Sequence, residues 1–512
     1  MTVPRLRPPD DGVTVRMYRQ GHGDCFLLAL PREGGGDPVY VLVDCGCEPG
    51  SPAYLGGARI DDVVRHIGEA TRWRLDLAVV THGHRDHVNG FWKEGSNPFA
   101  RFRIDEAWMA WTEDPADELA GELRRRRRDA LLGLIGARRM LADAVDDQDP
   151  VLHRVDALLG VELGGGGELP RLGDLAAAGE RLAAGDAARS VNERAMKLVR
   201  DKARAGRGVR YLSPGERPRV VAGSAGVRAY VLGPPRDERL LRDEDPVGDE
   251  AFPRGSQARG LSFHAAVSAA GRSGAPFGGR HCVPLERALD DPGSFFVRHY
   301  GREGDGVDDR DGVEVPPDAA WRRIGDEWLR SAEALALALN TGVDNTSLVL
   351  AFELPRTRKV LLFVGDARRG SWVSWPRCEW RENGAAVTAR DLLGRTVLYK
   401  VGHHGSHGAT LDGRADDPHP NLAWMARGEY AGEFTAMITA VSQWAADDND
   451  PPWHHPLPSI RRALLEKAQG RVFQTDVARP EKPAGVPDEA WREFMARADF
   501  QELYFDWTIH DR

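Results

Sequence analysis

Residues 79–90 read VVTHGHRDHVNG, an apolar run that ends at Thr81 and is followed by three histidines and an aspartate within six positions. The chain has 16 histidines among 512 residues, so this crowding needs a chemical reason. LDLAVV (75–80) has the composition of a strand, which puts His82, His84, Asp86 and His87 on the loop that leaves it. From there four side chains converge over short backbone distances. Imidazole nitrogen and carboxylate oxygen suit a borderline Lewis acid such as Zn²⁺, and a catalytic site leaves one position open for water. A helix would space its histidines as His-x₃-His. The bland alternative is a polar surface turn.

Two later segments repeat the pattern. VLLFVGDA ends a strand with Asp366, and LYKVGHHGSHG ends another with His403 and His404. In α/β sheets functional groups gather beyond strand ends, so the three segments predict one site. Around them, VTVRMYRQGHGDCFLLAL and PVYVLVDCG read as two strand regions, ARIDDVVRHIGEATRW (58–73) as an amphipathic helix, and LDLAVV as the next strand. Near the end, TSLVLAFEL, KVLLFVGDA, FTAMITAVS, SIRRALLEKA, RVFQTD and LYFDWTIH alternate strands with a helix. The fold class is α/β, with helices covering a sheet.

The chain divides into an N-terminal half (1–111), an insertion (112–325) and a C-terminal half (326–512). The insertion is helical in pattern over 112–215, with GGGG at 164–167 as a break, has a return strand at about 216–235, and carries polar loops over 236–325. DEWLRSAEALALALN (326–340) predicts a helix. Arg124–Arg128 form an arginine run that reads as a phosphate contact or, more plainly, as a solvated helix face balanced by acids.

A formal net charge of −9 argues against a protein that coats duplex nucleic acid, and leaves room for an enzyme that handles phosphodiesters in a cleft. Five cysteines without regular spacing do not form a disulfide framework. The N-terminus lacks the apolar core of a signal peptide, and no apolar run approaches the roughly 18–20 residues that cross a bilayer. The expectation is a soluble, cytoplasmic protein with no membrane partner.

Together, H-x-H-x-D-H after a strand, GDA and HHGSHGAT resemble the metallo-β-lactamase fold superfamily. More narrowly, GHGDCFLL (21–28), VLVDCG (41–46), NTSLVLAFEL (345–354) and HPLPSIRRALLEKAQGRVFQTD (455–476) are similar to the soluble hydrolase domain of ComEC-type competence proteins and its stand-alone relatives. The likeness covers the two halves and not the insertion. It implies a four-layer αββα sandwich with a two-metal cleft at its edge, holding Zn²⁺, with Mn²⁺ as the alternative. His82 and His84 would bind one metal, Asp86 and His87 the other, and Asp366 both. One of His403 and His404 would complete the second site while the other faces substrate, and Asp44 would orient a ligand from behind. Many superfamily members have a further histidine before the Gly-Asp motif. Here VDNTSLVL offers Asn345 and Thr346 instead, which leaves the first metal short of a ligand. His153, His264, His281 and His299 are the remaining candidates to fill in, each read as ordinary.

The expected activity is hydrolysis of a phosphodiester, in nucleic acid or a nucleotide-like molecule, by a metal-bridged hydroxide. Asp86 or Asp366 would orient the nucleophile, and His455 or a histidine of 403–407 would protonate the leaving oxygen. Asn345, Ser406 and His407 would line the substrate, and Lys400 with the arginine run would attract its charge. The rivals are an ester, lactone or amide hydrolase on the same fold and a non-catalytic binding or sensor module. The insertion is the candidate surface for a protein partner.

Overall fold

The structure, a computed structural model, describes residues 3–54, 59–144, 155–156, 159, 190–253, 343–382, 384–447 and 453–512. The expected helix over 326–340, the glycine run at 164–167, residues 254–325 of the polar loops, Cys282 and the histidines 153, 264, 281 and 299 lie outside the described residues.

The apolar runs form two large mixed sheets. The first contains β1 (Gly12–Tyr18), β2 (Cys25–Leu30), β3 (Val39–Cys45), β4 (Arg74–Val80), β5 (Arg103–Ala110) and β6 (Gly208–Leu212). The second contains β7 (Arg219–Val220), β8 (Arg228–Gly233), β9 (Val349–Glu353), β10 (Val360–Phe363), β13 (Thr396–Lys400), β14 (Thr435–Ile438) and β15 (Val472–Gln474). A small hairpin, β11 (Glu379–Glu382) and β12 (Ala385–Thr388), stands apart from both. The last strands, β16 (Ala498–Phe500) and β17 (Tyr504–His510), return to the first sheet, where β17 lies antiparallel to β1 with Gly12 opposite His510. The orders are β16-β17-β1-β2-β3-β4-β5-β6 and β15-β14-β13-β10-β9-β8-β7. Strands β6, β7 and β8 come from the stretch set apart as an insertion and are built into both sheets.

Continuous apolar strands occur where both faces of a sheet are covered. Val13, Val15, Phe26, Leu28, Val41 and Val79 of the first sheet share one core with Val231, Leu350, Phe352, Leu361, Phe363 and Met437 of the second. The alternate residues point outward. Leu27, Leu42, Ala78 and Ala107 pack under the helices Ile60–Thr71 and Val191–Arg204 through Val63, Ile67, Met196 and Val199. Tyr230, Ala351, Leu362 and Tyr399 pack under Trp372, Leu393, Ile460 and Leu464 of the second helical layer. The order is helix, sheet, sheet, helix: an α/β sandwich. Each side chain moved fully out of water here contributes about 1.5–3 kcal/mol, so the two-residue period of the strands fixes which face meets which.

That arrangement sets the site. Strands β3 and β4 run parallel, as do β10, β13 and β14, while β2 and β9 run antiparallel to their neighbours β3 and β10. The C-terminal tips of the first group and the N-terminal entries of the second therefore lie at one edge of their sheets.

No helix among the described residues is long and apolar enough to cross a membrane. Cys25, Cys45 and Cys378 are buried free thiols and Cys47 is half-buried.

Candidate metal centre

At that edge the loop after β4 delivers His82, His84, Asp86 and His87, and the turn after β10 delivers Asp366. Gly365 makes this turn with φ +54°, and a Cβ there would lie 2.9 Å from Thr81 Cβ and 3.0 Å from Ser347 Cβ. The loop after β13 takes His403 and His404 through left-handed conformations, φ +37° and +54°, before Gly405. Three groups of side chains have ligand atoms within 4.8 Å of one another among the described residues: His82, His84, Asp344 and Asp366; Asp86, His87, Asp366 and His404; and, behind the second, Asp24 and Asp44 with His87. Asp366 belongs to the first two. These residues could hold a metal ion.

The imidazoles are gripped at one nitrogen and aimed with the other. His87 Nδ1 donates to Asp44 Oδ2 (2.8 Å), and Asp44 also accepts from the Thr81 amide (2.8 Å) and hydroxyl (2.6 Å). His87 Nε2 lies 3.0 Å from Asp366 Oδ2 and 3.4 Å from Asp86 Oδ2. His404 Nδ1 donates to the Thr439 carbonyl (3.1 Å), which turns Nε2 onto Asp86 Oδ2 at 2.7 Å. His82 Nδ1 sits between the hydroxyls of Thr81 (3.1 Å) and Ser347 (3.3 Å), and Nε2 faces Asp366 Oδ2 at 3.8 Å. A partner on one ring nitrogen fixes the tautomer and frees the other nitrogen as a ligand.

Burial alone works to raise Asp366, but the neighbouring imidazoles of His87, His404 and His403 hold it well below the usual carboxylate range. Asp86 is likewise held low by His87 and His404 against burial. Burial works to lower His87, yet the carboxylates of Asp366, Asp86 and Asp24 raise it well above an ordinary histidine. The first group behaves in the opposite way. Burial, reinforced by His87 and His84, pushes His82 well down. Burial, partly opposed by Arg368 and reinforced by Asp366 and Glu244, pushes Asp344 well up.

The choice between the two histidines after β13 is made by the backbone. His404 joins the Asp86 group, whereas His403 Nδ1 lies 2.8 Å from Ser406 Oγ and 3.5 Å from Asp344 Oδ2. Asp44 stands behind His87. Asn345 does not line the cluster; its side chain accepts from the Arg368 amide (2.9 Å) and donates to the Asp243 carbonyl (2.9 Å), tying the loop that carries Asp344. Lys400, expected to attract an anion, is buried, pairs with Asp24 and donates to the Gly365 carbonyl (2.9 Å), so its charge is spent inside the scaffold. His407 belongs to none of the three groups, and its Nδ1 lies 3.7 Å from Asp245. His455 stands at the rim, its ring 5.4 Å from His403 and 6.1 Å from His404. Burial, followed by His404, pushes it down to about 3, which suits a neutral acceptor better than the cationic donor expected of it.

Sequence reasoning missed three residues. Asp344 precedes Asn345 and stands where a histidine was sought; an acid ahead of a strand carries no signal by itself. Asp24, in GHGDCFLL, pairs with Lys400 and accepts from Thr439 Oγ1 at 2.6 Å. His22, in the same motif, has its ring 4.3 Å from that of His404.

The arginine run lies on the helix Glu118–Ala144. Arg124 donates to the Thr112 and Asp114 carbonyls, and Arg126 pairs with Glu122 and with Glu238. Of the run, Arg126 is balanced by acids and Arg124 is tied to backbone carbonyls.

No protein-family model matches the chain, and no curated protein matches it at a significant level.

Proposed function

We propose that the chain is a binuclear metal-dependent hydrolase of the metallo-β-lactamase fold superfamily, related to the ComEC-like group, and that it cleaves phosphodiesters. The observation that carries the reading is the Asp366 carboxylate shared by two His/Asp groups. The donors also fit divalent cations, zinc first and manganese second. His82 Nε2, Asp366 Oδ1 and both oxygens of Asp344 are buried without a hydrogen bond, with Lys400 and Arg368 no nearer than 3.6 Å to the two carboxylates, and a cation would satisfy them.

His82, His84 and Asp344 would hold one ion, Asp86, His87 and His404 the other, with Asp366 between them. Two such ions supply Lewis acidity and water acidic enough to act as a nucleophile at neutral pH. The protein does the rest. Asp44 and the Thr439 carbonyl keep His87 and His404 in the ligating tautomer. Asp86 and Asp366 present carboxylate oxygens that orient the attacking water. His403, held by Ser406, and His455 stand beside the ligands, where their neutral rings would accept the proton the nucleophile releases and return it to the leaving oxygen. Burial of both groups keeps bulk water away and strengthens each electrostatic contact. The motif resemblance, from GHGDCFLL to the Thr-Asp strand, directs the substrate towards phosphodiesters.

The test is metal analysis of the purified protein beside hydrolysis of bis(p-nitrophenyl) phosphate, single- and double-stranded DNA and RNA, and an ester and lactone panel, with Mn²⁺ or Zn²⁺. Two equivalents of metal and chelator-sensitive phosphodiester cleavage are expected. Cleavage confined to esters or lactones would move the reading to another hydrolase, and absence of stoichiometric metal would leave a binding module.

A further inference from the structure

Lys400 ends β13, between β10 and β14 of the second sheet, and is 1% exposed. Its ammonium pairs with Asp24 Oδ2, just ahead of β2 in the first sheet. It also donates to the Gly365 carbonyl at 2.9 Å and stands 3.6 Å from Asp366 Oδ1. A buried charge is costly, and a buried ion pair is often no more stable than an apolar pair of the same size. Packing therefore gives no reason for a lysine here.

The contacts of this ammonium lead to the ligands. On one side, Gly365 makes the turn that carries Asp366, whose Oδ1 faces Lys400. Asp366 Oδ2 is left facing the imidazoles, at 3.0 Å from His87 Nε2, 3.7 Å from His404 Nε2 and 3.8 Å from His82 Nε2. On the other side, Asp24 Oδ1 accepts from the Thr439 hydroxyl at 2.6 Å, and the Thr439 carbonyl receives His404 Nδ1. Asp24 Oδ2 also lies 3.6 Å from His87 Nδ1, which is bonded to Asp44 at 2.8 Å. Asp24, Asp44 and His87 are themselves a set that could hold a cation. With Lys400 on Asp24, that set already has a positive charge, and His87 stays on Asp44.

We infer that Lys400 is a positioning residue of the metal centre, a fixed positive charge that sets how tightly the group of Asp86, His87 and His404 holds its ion. The inference rests on the two-ion reading and is independent of the substrate. By engaging Asp24, the ammonium leaves His87 to Asp44 and keeps Asp24 on the Thr439 hydroxyl. Both imidazoles then present Nε2 to the same ion. From behind Asp366 it steadies the carboxylate with Oδ2 towards the imidazoles. It also fills the charge of the third set, which confines metal to the other two. Lys400 reaches the group of His82, His84 and Asp344 only through Asp366, so that ion depends on it less.

The experiment compares the full chain, Lys400→Met, which removes the charge and keeps a long side chain, and the double variant Asp24→Asn with Lys400→Met, which removes both charges of the pair. Each protein is stripped of metal and titrated with Zn²⁺ in competition with a chromogenic chelator, and melting curves are taken without metal. The full chain should bind two equivalents. In both variants one equivalent should stay tight and the other weaken about 10–100-fold, the range for losing a group that orients a metal ligand. The double variant should melt close to the full chain, because no buried charge is left unpaired. Affinity that returns together with stability in the double variant overturns the positioning role and leaves a structural ion pair. Two tight equivalents in Lys400→Met, or equal weakening of both, overturn it as well. A double variant that melts as low as Lys400→Met gives Lys400 a packing role and also overturns it. A full chain that binds fewer than two equivalents removes the inference together with the two-ion reading, whereas two equivalents in a protein that cleaves no phosphodiester remove only the substrate.

Discussion

The two His/Asp groups share Asp366 and differ in their internal contacts. In the group of Asp86, His87 and His404, imidazoles and carboxylates already satisfy one another at 2.7 and 3.0 Å, and the charges agree, with low acids beside a raised His87. In the group of His82, His84 and Asp344, the imidazole–carboxylate distances are longer, 3.4 Å from His84 Nδ1 to Asp344 Oδ1 and 3.8 Å from His82 Nε2 to Asp366 Oδ2, with Asp344 raised and His82 lowered by burial. The first group is closed by its own imidazole–carboxylate contacts, whereas in the second the Asp344 carboxyl is flanked by His403 and Arg368 at 3.5 and 3.6 Å.

The largest effect belongs to the shared residue. Asp366→Ala should remove both equivalents of metal and lower activity by about 10³-fold or more while the circular dichroism spectrum is kept. Global unfolding would show the carboxylate to be a structural strut and not a bridge. Next, Asp344→Ala should cost one equivalent, as should Asp86→Ala, each with a loss of about 10²–10³-fold. Metal analysis of the double variant near zero supports two separate halves; a single variant that loses everything merges them.

A histidine away from the ligand groups separates metal effects from general acid sensitivity. Burial, followed by Arg16, pushes His66 down to about 4, and its Nδ1 lies 3.0 Å from the Tyr18 hydroxyl. The unfolded chain takes a proton at about 6.5 that the folded protein refuses until about 4. Stability should therefore fall as pH drops through that window, by about 2 kcal/mol after allowance for partial exposure, and level off below it. His66→Phe should flatten that share of the slope equally with and without chelator. A slope that responds to the chelator would tie His66 to the metal.

The smallest effect changes sign. Asp344→Asn should raise the stability of chelated protein by about 1–2 kcal/mol, by removing a carboxyl group whose ionisation burial opposes, and lower that of metal-loaded protein. A melting temperature that moves the same way in both states would mean that Asp344 meets no cation.

The clustering was legible beforehand. His82, His84, Asp86 and His87 crowd into one loop, and Asp366 and His404 follow strands whose apolar runs are plain, because a two-residue period betrays buried strands and residues of metal-binding type stand out against them. The arginine run reads more plainly as a solvated, acid-balanced helix face than as a phosphate contact, and Arg126 indeed lies beside Glu122 and Glu238. Lys400 looked like a free cation, since nothing near it in the chain announces Asp24, more than three hundred residues away. The strands β6 to β8 were read as part of an insertion because two of the three are short and polar; they belong to the sheets through pairing with β5 and β9.

By itself the chain determined which strands are buried and which loops carry donor atoms, since both follow from residue types at local spacing. Only the tertiary structure decided that Asp344 lies with His82 and His84, that His404 and not His403 joins Asp86, and that Lys400 faces inward. Those choices depend on where separate strand tips meet in space and on the left-handed turn at His403 and His404. A ligand set is a matter of distance between atoms, and distance across two sheets is not written at any one position of the sequence.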